Sequence, residues 1–282
     1  ATDVNAAIVP KGLGGFVANI PDGTSTGGNS RGDNAVDLQL VRTQNYQVAG
    51  GDRSVIIGGQ NNSILDATHS RNSVIIGGGG NTIGYTIGSA PSVGNVIIGG
   101  AVNIVQSGIT GAVIVGGSSG IAYLNNQKVF SVGNWDGIGI EMSQYEMMPR
   151  KEHIGSGTTE IIFQNSDRIK LPTGQTSLWN VEIQLVALIS TVGNGVGIVL
   201  DADASWNVTA CIKLSSNNIS LIGTPQLLSH FYDATMSSAI LDVQADNTNK
   251  SLKLSYTPQS GAGTTTRTRL VGYIRALHAG YV

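Results

Sequence analysis

The feature that most restricts what this chain can fold into is a phrase it repeats. Ser54-Val-Ile-Ile-Gly-Gly-Gln-Asn-Asn-Ser-Ile64 returns as Ser73-Val-Ile-Ile-Gly-Gly-Gly-Gly-Asn-Thr-Ile83 and as Asn95-Val-Ile-Ile-Gly-Gly-Ala-Val-Asn-Ile-Val105. A looser copy follows at Ala112-Val-Ile-Val-Gly-Gly-Ser-Ser-Gly-Ile-Ala122. The leading valines stand at Val55, Val74, Val96 and Val113, so the spacings are 19, 22 and 17 residues. A period near 20 residues implies stacked rungs, each burying its apolar side against its neighbours. The apolar runs are wholly β-branched, which favours strand over helix. Successive side chains on a strand point to opposite faces, so each run is apolar on both. One face is expected to line the rung interior, and the other needs a second apolar surface, most economically a symmetry mate. The predicted repeat core is therefore Val55, Ile56, Ile57, Val74, Ile75, Ile76, Val96, Ile97, Ile98, Val113, Ile114 and Val115. The Gly-Gly pairs suit positive φ or close backbone approach at a corner. Asn61, Asn62, Asn81 and Asn103 follow them at similar offsets and suit left-handed turns or stacked side-chain ladders.

Around this stretch the chain reads in parts. Residues 1–45 hold turn clusters and no strong period, with a short strand expected at Phe16–Ile20 and a strand or short helix at Ala35–Val41. So little apolar material cannot form a free-standing core, and the segment is expected to pack on a neighbour. Residues 46–134 form the repeat shaft. Residues 135–157 read as a junction, with a short helical turn around Glu141–Met148. In residues 158–282 apolar residues alternate with others: Trp179, Val181, Ile183, Leu185, Ala187 and Ile189 share one face, as do Trp206, Val208, Ala210, Ile212 and Leu214. Further strands are predicted at 159–164, 168–171, 197–201, 219–222, 239–244, 251–256 and 266–277, with a hairpin turn at Asp246–Asn249. The expected fold class is all-β: a trimeric stacked-rung shaft, β-roll or β-helix-like, followed by a jelly-roll-type β-sandwich.

Only 12% of the residues are charged and the net charge is −2. That gives no electrostatic case for nucleic acid or an anionic membrane, and no run approaches the ~18 apolar residues of a spanning helix. Residues Ala1–Asn5 lack the basic and apolar regions of a secretory signal. If the chain is assembled in the bacterial host cytoplasm, as is expected, it reaches the outside by a route other than secretion or has lost its signal earlier. The single cysteine, Cys211, excludes an internal disulfide and is expected to be a buried, inert thiol.

The order of motifs resembles a known group. Ala7-Ile-Val-Pro-Lys-Gly-Leu-Gly-Gly-Phe16 with the stretch Ile20–Gln39 is similar to the opening of bacteriophage tail-fibre and virion-fibre proteins. The Ser-Val-Ile-Ile-Gly-Gly-Gln-Asn-Asn repeats resemble their shaft, and also the head repeats of trimeric bacterial adhesins. Trp206–Lys213, Leu221–Thr224, Ala245–Asn249 and Arg269–Ala276 resemble their terminal domain. The resemblance implies a homotrimer on the virion surface. Its N-terminal end would attach to a capsid or tail/baseplate protein, and its C-terminal knob would meet a host glycan or envelope protein. A capsid fibre or decoration protein without a receptor, a polysaccharide-degrading tailspike and a bacterial adhesin head are the alternatives.

Catalytic chemistry finds little support in spacing alone. Glycoside hydrolysis uses two carboxylates roughly 5–10 Å apart, and between Tyr46 and Phe130 the acids are Asp52 and Asp66. The C-terminal acids, among them Glu182, Asp201, Asp203, Asp233, Asp242 and Asp246, fall on polar strand faces or in turns. His69, His153, His230 and His278 show no metal-type spacing. The expectation is a chain that is not an enzyme, with no catalytic residue, metal or cofactor. Arg31-Gly32-Asp33 spells an adhesive tripeptide but sits in a turn-rich stretch where it arises easily. Trp179 and Trp206 are expected in the core. Host contact is expected from loops that include Asn194, Phe231, Tyr232 and Asp233, where aromatic faces and amide or carboxylate groups suit sugar binding.

Overall fold

The computed structural model describes residues 10, 12–65, 70–84, 91–135, 140–161, 168–170 and 176–281. They fall into two compact units, Ala1–Tyr123 and Leu124–Val282. Among the described residues the structure is all-β, with a single 3-10 turn at Ala234–Met236.

The first unit is a solenoid of about 5 turns. Phe16–Val17, Val36–Asp37, Val55–Ile57, Val74–Ile76, Val96–Ile98 and Val113–Val115 pair in parallel. Equivalent residues stand in register, Ile56 on Ile75 on Ile97 on Ile114. A second parallel sheet stacks Ser63–Ile64, Thr82–Ile83, Ile104–Val105 and Ile121–Ala122. Its buried Ile64, Ile83, Val105 and Ala122 share the interior with Ile56, Ile75, Ile97 and Ile114, all eight fully buried. Each large aliphatic side chain so buried contributes about 1.5–3 kcal/mol. The parallel stack begins before the recognisable repeats, since Val36 already pairs with Val55 and Phe16 with Val36.

Corners are made by the Gly-Gly pairs and locked by asparagine. Gly59 and Gly78 both have φ +76, and a Cβ on Gly59 would lie 2.3 Å from the carbonyl oxygen of Gly78. No side chain fits there. Just after each corner, Asn62, Asn81 and Asn103 are fully buried. Asn62 Oδ1 accepts from the Asn81 backbone N–H at 3.0 Å, Asn81 Oδ1 from that of Asn103 at 3.0 Å, and Asn103 Oδ1 from that of Gly120 at 2.8 Å. Their amide nitrogens donate to corner carbonyls, such as Gly78 and Gly100 at 3.2 Å. Buried polar groups are thus paired rung to rung, as close packing demands. Asn61 takes the left-handed turn instead, with φ 56.

Near the start of the unit the Arg31 side chain is buried against Asp37 at 2.9 Å, and Arg42 reaches the same Asp37 oxygen at 3.0 Å. Burial lowers the Arg31 pKa, and the Asp37 charge opposes that shift. The Arg31-Gly32-Asp33 tripeptide is therefore structural at its arginine. An adhesive contact would require that guanidinium outside.

In the second unit one antiparallel sheet runs Lys128–Trp135, Ile140–Met147, Arg267–Tyr281, Thr176–Thr191 and Asp203–Ser215 in spatial order. Arg150–Ile154 also pairs with Arg267–Tyr281. Asn218–Leu221 and Gln226–Tyr232 both lie beside Asp203–Ser215. A second sheet places Thr159–Ile161 and Ile169–Lys170 on one side of Ser251–Thr257, with Ile240–Asp246 on the other. The two predicted alternating faces are buried as expected: Trp179 to Ile189 at 0–1% exposure and Trp206 to Leu214 at 0–5%. The sheets meet where Trp206 and Tyr256 make an edge-to-face contact at 6.1 Å.

Several local expectations are corrected. The helical turn expected around 141–148 is strand, because Ile140–Met147 is paired on both sides. The strand expected at 197–201 is a turn segment. Gln226–Tyr232 was not expected as a strand. A register shift opposite Asn207 and Val208 inserts an extra residue and breaks its alternation. Cys211 is half-buried rather than buried, since it alternates out of phase with Ala210 and Ile212.

Candidate functional site

The loop residue Asn194 is committed to holding its own loop. Its Oδ1 accepts from the Thr265 N–H at 2.9 Å and from Thr265 Oγ1 at 2.8 Å, and its Nδ2 donates to Thr264 Oγ1 at 3.0 Å. Asp233 similarly ties two strand ends, accepting from the Asp203 N–H at 3.1 Å. Phe231 and Tyr232 lie on the strand Gln226–Tyr232 rather than in a loop, 71% and 50% exposed. Strand alternation sends Phe231 to one face and Tyr232, with His230 two residues earlier, to the other.

On that other face an open cleft of about 560 Å³ lies between Gln226–Tyr232 and Ile240–Asp246. One wall is Trp206, Val208, Leu227 and His230; the opposite wall is Ile240, Leu241, Asp242 and Val243; Thr224, Pro225, Ser237, Ser238 and Ala239 also line it. Cross-strand register sets His230 opposite Trp206, and their rings stack with centroids 5.0 Å apart and 19° between planes. Tyr232 tilts onto His230 at 4.6 Å. Burial pulls the His230 pKa below its ordinary value, so the ring is neutral at neutral pH. Its Nε2 is buried without a hydrogen-bond partner. Among the described residues of the lining Asp242 is the one acid, held by Gln244 Nε2 at 2.5 Å, and none is a lysine or arginine. The size falls in the usual range for ligand clefts, and a mainly apolar wall with a few polar groups is their usual chemistry.

Sequence reasoning assigned Trp206 to the core, and it is 4% exposed. What it missed is that the edge of this core residue forms a cleft wall with His230, opposite the strand Ile240–Asp246. The other described histidines serve packing. His153 Nε2 meets the Gly155 carbonyl at 2.8 Å, and His278 lies against Tyr145 and Trp179. His69 and Asp66 lie outside the described residues. The residue next to Asp52 in the rung stack is Asp33, whose N–H donates to Asp52 Oδ1 at 3.0 Å.

A second cluster lies on the polar face of the large sheet. Register aligns Lys128, Glu146, Arg275, Glu182 and Thr209 across five strands. Beside it is a hollow of about 300 Å³ lined by Asn180, Glu182, Thr209, Arg275 and Leu277. Glu146 and Glu182 stand one strand to either side of Arg275, so their backbones are about 10 Å apart at ordinary strand spacing. The cation between them makes this foremost a charge-balanced row.

No protein-family model matches the sequence, and no curated protein does. Among solved structures the chain is similar to the tailspike protein of Acinetobacter baumannii phage AM24, with 11% identity and TM-score 0.29 over 88% of this chain and 55% of that one. It is also similar to tailspike protein gp49 of Acinetobacter baumannii bacteriophage Fri1, a capsular polysaccharide depolymerase, with 8% identity and TM-score 0.25 over 93% and 52%. The chain thus spans about half the length of the structures it matches. The expectation of a chain that is not an enzyme is corrected here, because a protein similar to it is a depolymerase. That expectation rested on carboxylate spacing along the sequence, which does not register acids that strand pairing aligns, such as Glu146 and Glu182.

Proposed function

We propose that this chain belongs to a phage tail protein of the tailspike kind, which engages host-surface polysaccharide through its C-terminal unit. The observation that carries this reading is the open cleft walled by Trp206 and His230 on one side and Ile240 and Asp242 on the other. The ring edges of Trp206 and His230 give the cleft an apolar wall for the C–H groups of a sugar, and the polar groups of the lining can take its hydroxyls.

Other parts of the reading have their own support. A homotrimer is favoured by Ile57, Ile76 and Ile98, exposed at 46%, 42% and 43% in a single chain and stacked in one row. Contiguous apolar rows of this kind mark association surfaces. Three copies would also turn weak sugar contacts into useful avidity. A C-terminal sandwich knob is supported by the two antiparallel sheets that meet at Trp206 and Tyr256. Residues 1–45 are assigned to attachment on a capsid or tail protein.

The test is incubation of the purified chain with surface polysaccharide from a panel of bacteria. Retention of at least one polysaccharide is expected. Chain shortening seen by size exclusion would assign cleavage as well. Neither retention nor shortening across the panel overturns the reading.

A further inference from the structure

Resting on the homotrimer reading above, we infer that the second unit carries a subunit contact of its own. It is the face of the large sheet that bears the Glu146–Arg275–Glu182 row, and it sets Arg269 of one copy against Asp203 of the next. Strand alternation sends to this face the residues that lie between the buried ones of Trp179–Ile189. Register carries two rows across it. One runs Arg150, Val271, Val186, Ser205 and Phe231; the next runs Glu152, Arg269, Leu188 and Asp203. Branched aliphatics therefore fill the middle, with Val271, Val186 and Leu188 exposed at 57%, 50% and 37%. An apolar centre with a charged margin is the usual anatomy of a protein interface, and the hydroxyls of a glycan would not give those side chains a dry cover. At strand spacings of about 4.8 Å and a rise of about 3.4 Å per residue, the face measures roughly 20 by 35 Å. That is close to the ~800 Å² each partner gives to a stable interface.

Charge selects a second copy as the occupant. Glu152 is taken by Arg267 at 3.4 Å, which leaves Arg150 and Arg269 in excess at one side. The other side ends in Asp203 and Asp233, joined through the Asp203 N–H and Asp233 Oδ2 at 3.1 Å. None of these four makes an ion pair among the described residues. A three-fold axis along the strands turns the arginine side of one copy onto the aspartate side of the next at the same height. The aliphatic rows then close on one another around the axis.

The test joins copies covalently in the full chain. Arg269 and Asp203 stand two strands apart, about 10 Å, too far for a disulfide within one chain. Arg269→Cys with Asp203→Cys, in a Cys211→Ser background, is expected to give covalent trimers on oxidation, while either single variant gives none. In light scattering, Val186→Asp and Arg269→Asp should each raise the concentration of half-dissociation ten-fold or more. Arg269→Asp with Asp203→Arg should restore the parent value. These positions are exposed, so circular dichroism of every variant should match the parent. If the parent scatters as three chains but the paired cysteines link no more than the single ones do, this contact falls and the trimer stands. A parent that scatters as one or two chains overturns both. Val186→Asp keeping the parent mass but losing retention of host polysaccharide would give the face to a glycan, and that overturns the contact too.

Discussion

At the residue scale the solenoid rests on a few side chains that do what no neighbour can. Asn81 is fully buried, takes the Asn103 N–H and gives its amide hydrogen to a corner carbonyl. Asn81→Ala removes both bonds inside a dry interior, where each group left unpaired costs about 1–3 kcal/mol. Denaturant unfolding should show a clearly lower midpoint for this variant. Asn61→Gly, at a left-handed turn position with φ 56, should be close to neutral because glycine accepts that conformation. Equal midpoints for Asn81→Ala and the parent would show that the ladder does not hold the rungs. Arg31 carries a different lesson. Its neighbours in sequence spell a recognition motif, but its guanidinium is spent inside on Asp37.

At the element scale the three-residue strand is the unit of the repeat, and its faces have opposite duties. Ile75 is fully buried and Ile76 beside it is 42% exposed. Ile75→Asp places an unpaired carboxylate in the interior, at a cost of several kcal/mol, and should prevent the solenoid from folding. Ile76→Asp should leave the single chain folded and break the association of copies. Light scattering separates the two outcomes: the parent is expected at about three times 29.2 kDa and Ile76→Asp at 29.2 kDa. A parent that scatters as one chain, or an Ile76→Asp variant that keeps the parent mass, sinks the trimer. A folded, heat-stable Ile75→Asp variant sinks the interior assignment.

At the scale of the whole molecule there are two units built on different pairings, one parallel and one antiparallel, and they should respond differently to acid. His278 in the second unit is 3% exposed, packed on Trp179 at 4.9 Å and Tyr145 at 5.8 Å. Burial pulls its pKa down to about 4, from an ordinary 6.5. The folded state therefore binds this proton less readily than the unfolded state. The contribution is fully present above pH 6.5 and is lost as pH falls toward 4, in total on the order of 3 kcal/mol. Thermal melts from pH 7 to pH 4 should show the second unit losing stability over that window, and His278→Phe should flatten the loss. An unchanged pH dependence in that variant would put the acid sensitivity elsewhere.

Over the same whole chain, local pattern and tertiary pairing divide the explanation. The period of the Val-Ile-Ile phrase, the interior place of Ile56, Ile75, Ile97 and Ile114, the Asn62–Asn81–Asn103 ladder and the buried faces beginning at Trp179 and Trp206 were all legible in the residues. Each depends on spacing within one strand or one turn, where geometry allows a single side to be buried. The extra residue in Gln226–Tyr232, the meeting of Trp206, His230 and Asp242 around one cleft, and the row Glu146–Arg275–Glu182 were not. They are set by which strands pair and in what register, and pairing between distant segments is decided by the packing of the whole sheet. The repeat therefore announced its solenoid, while the cleft came into being only when the sheets met.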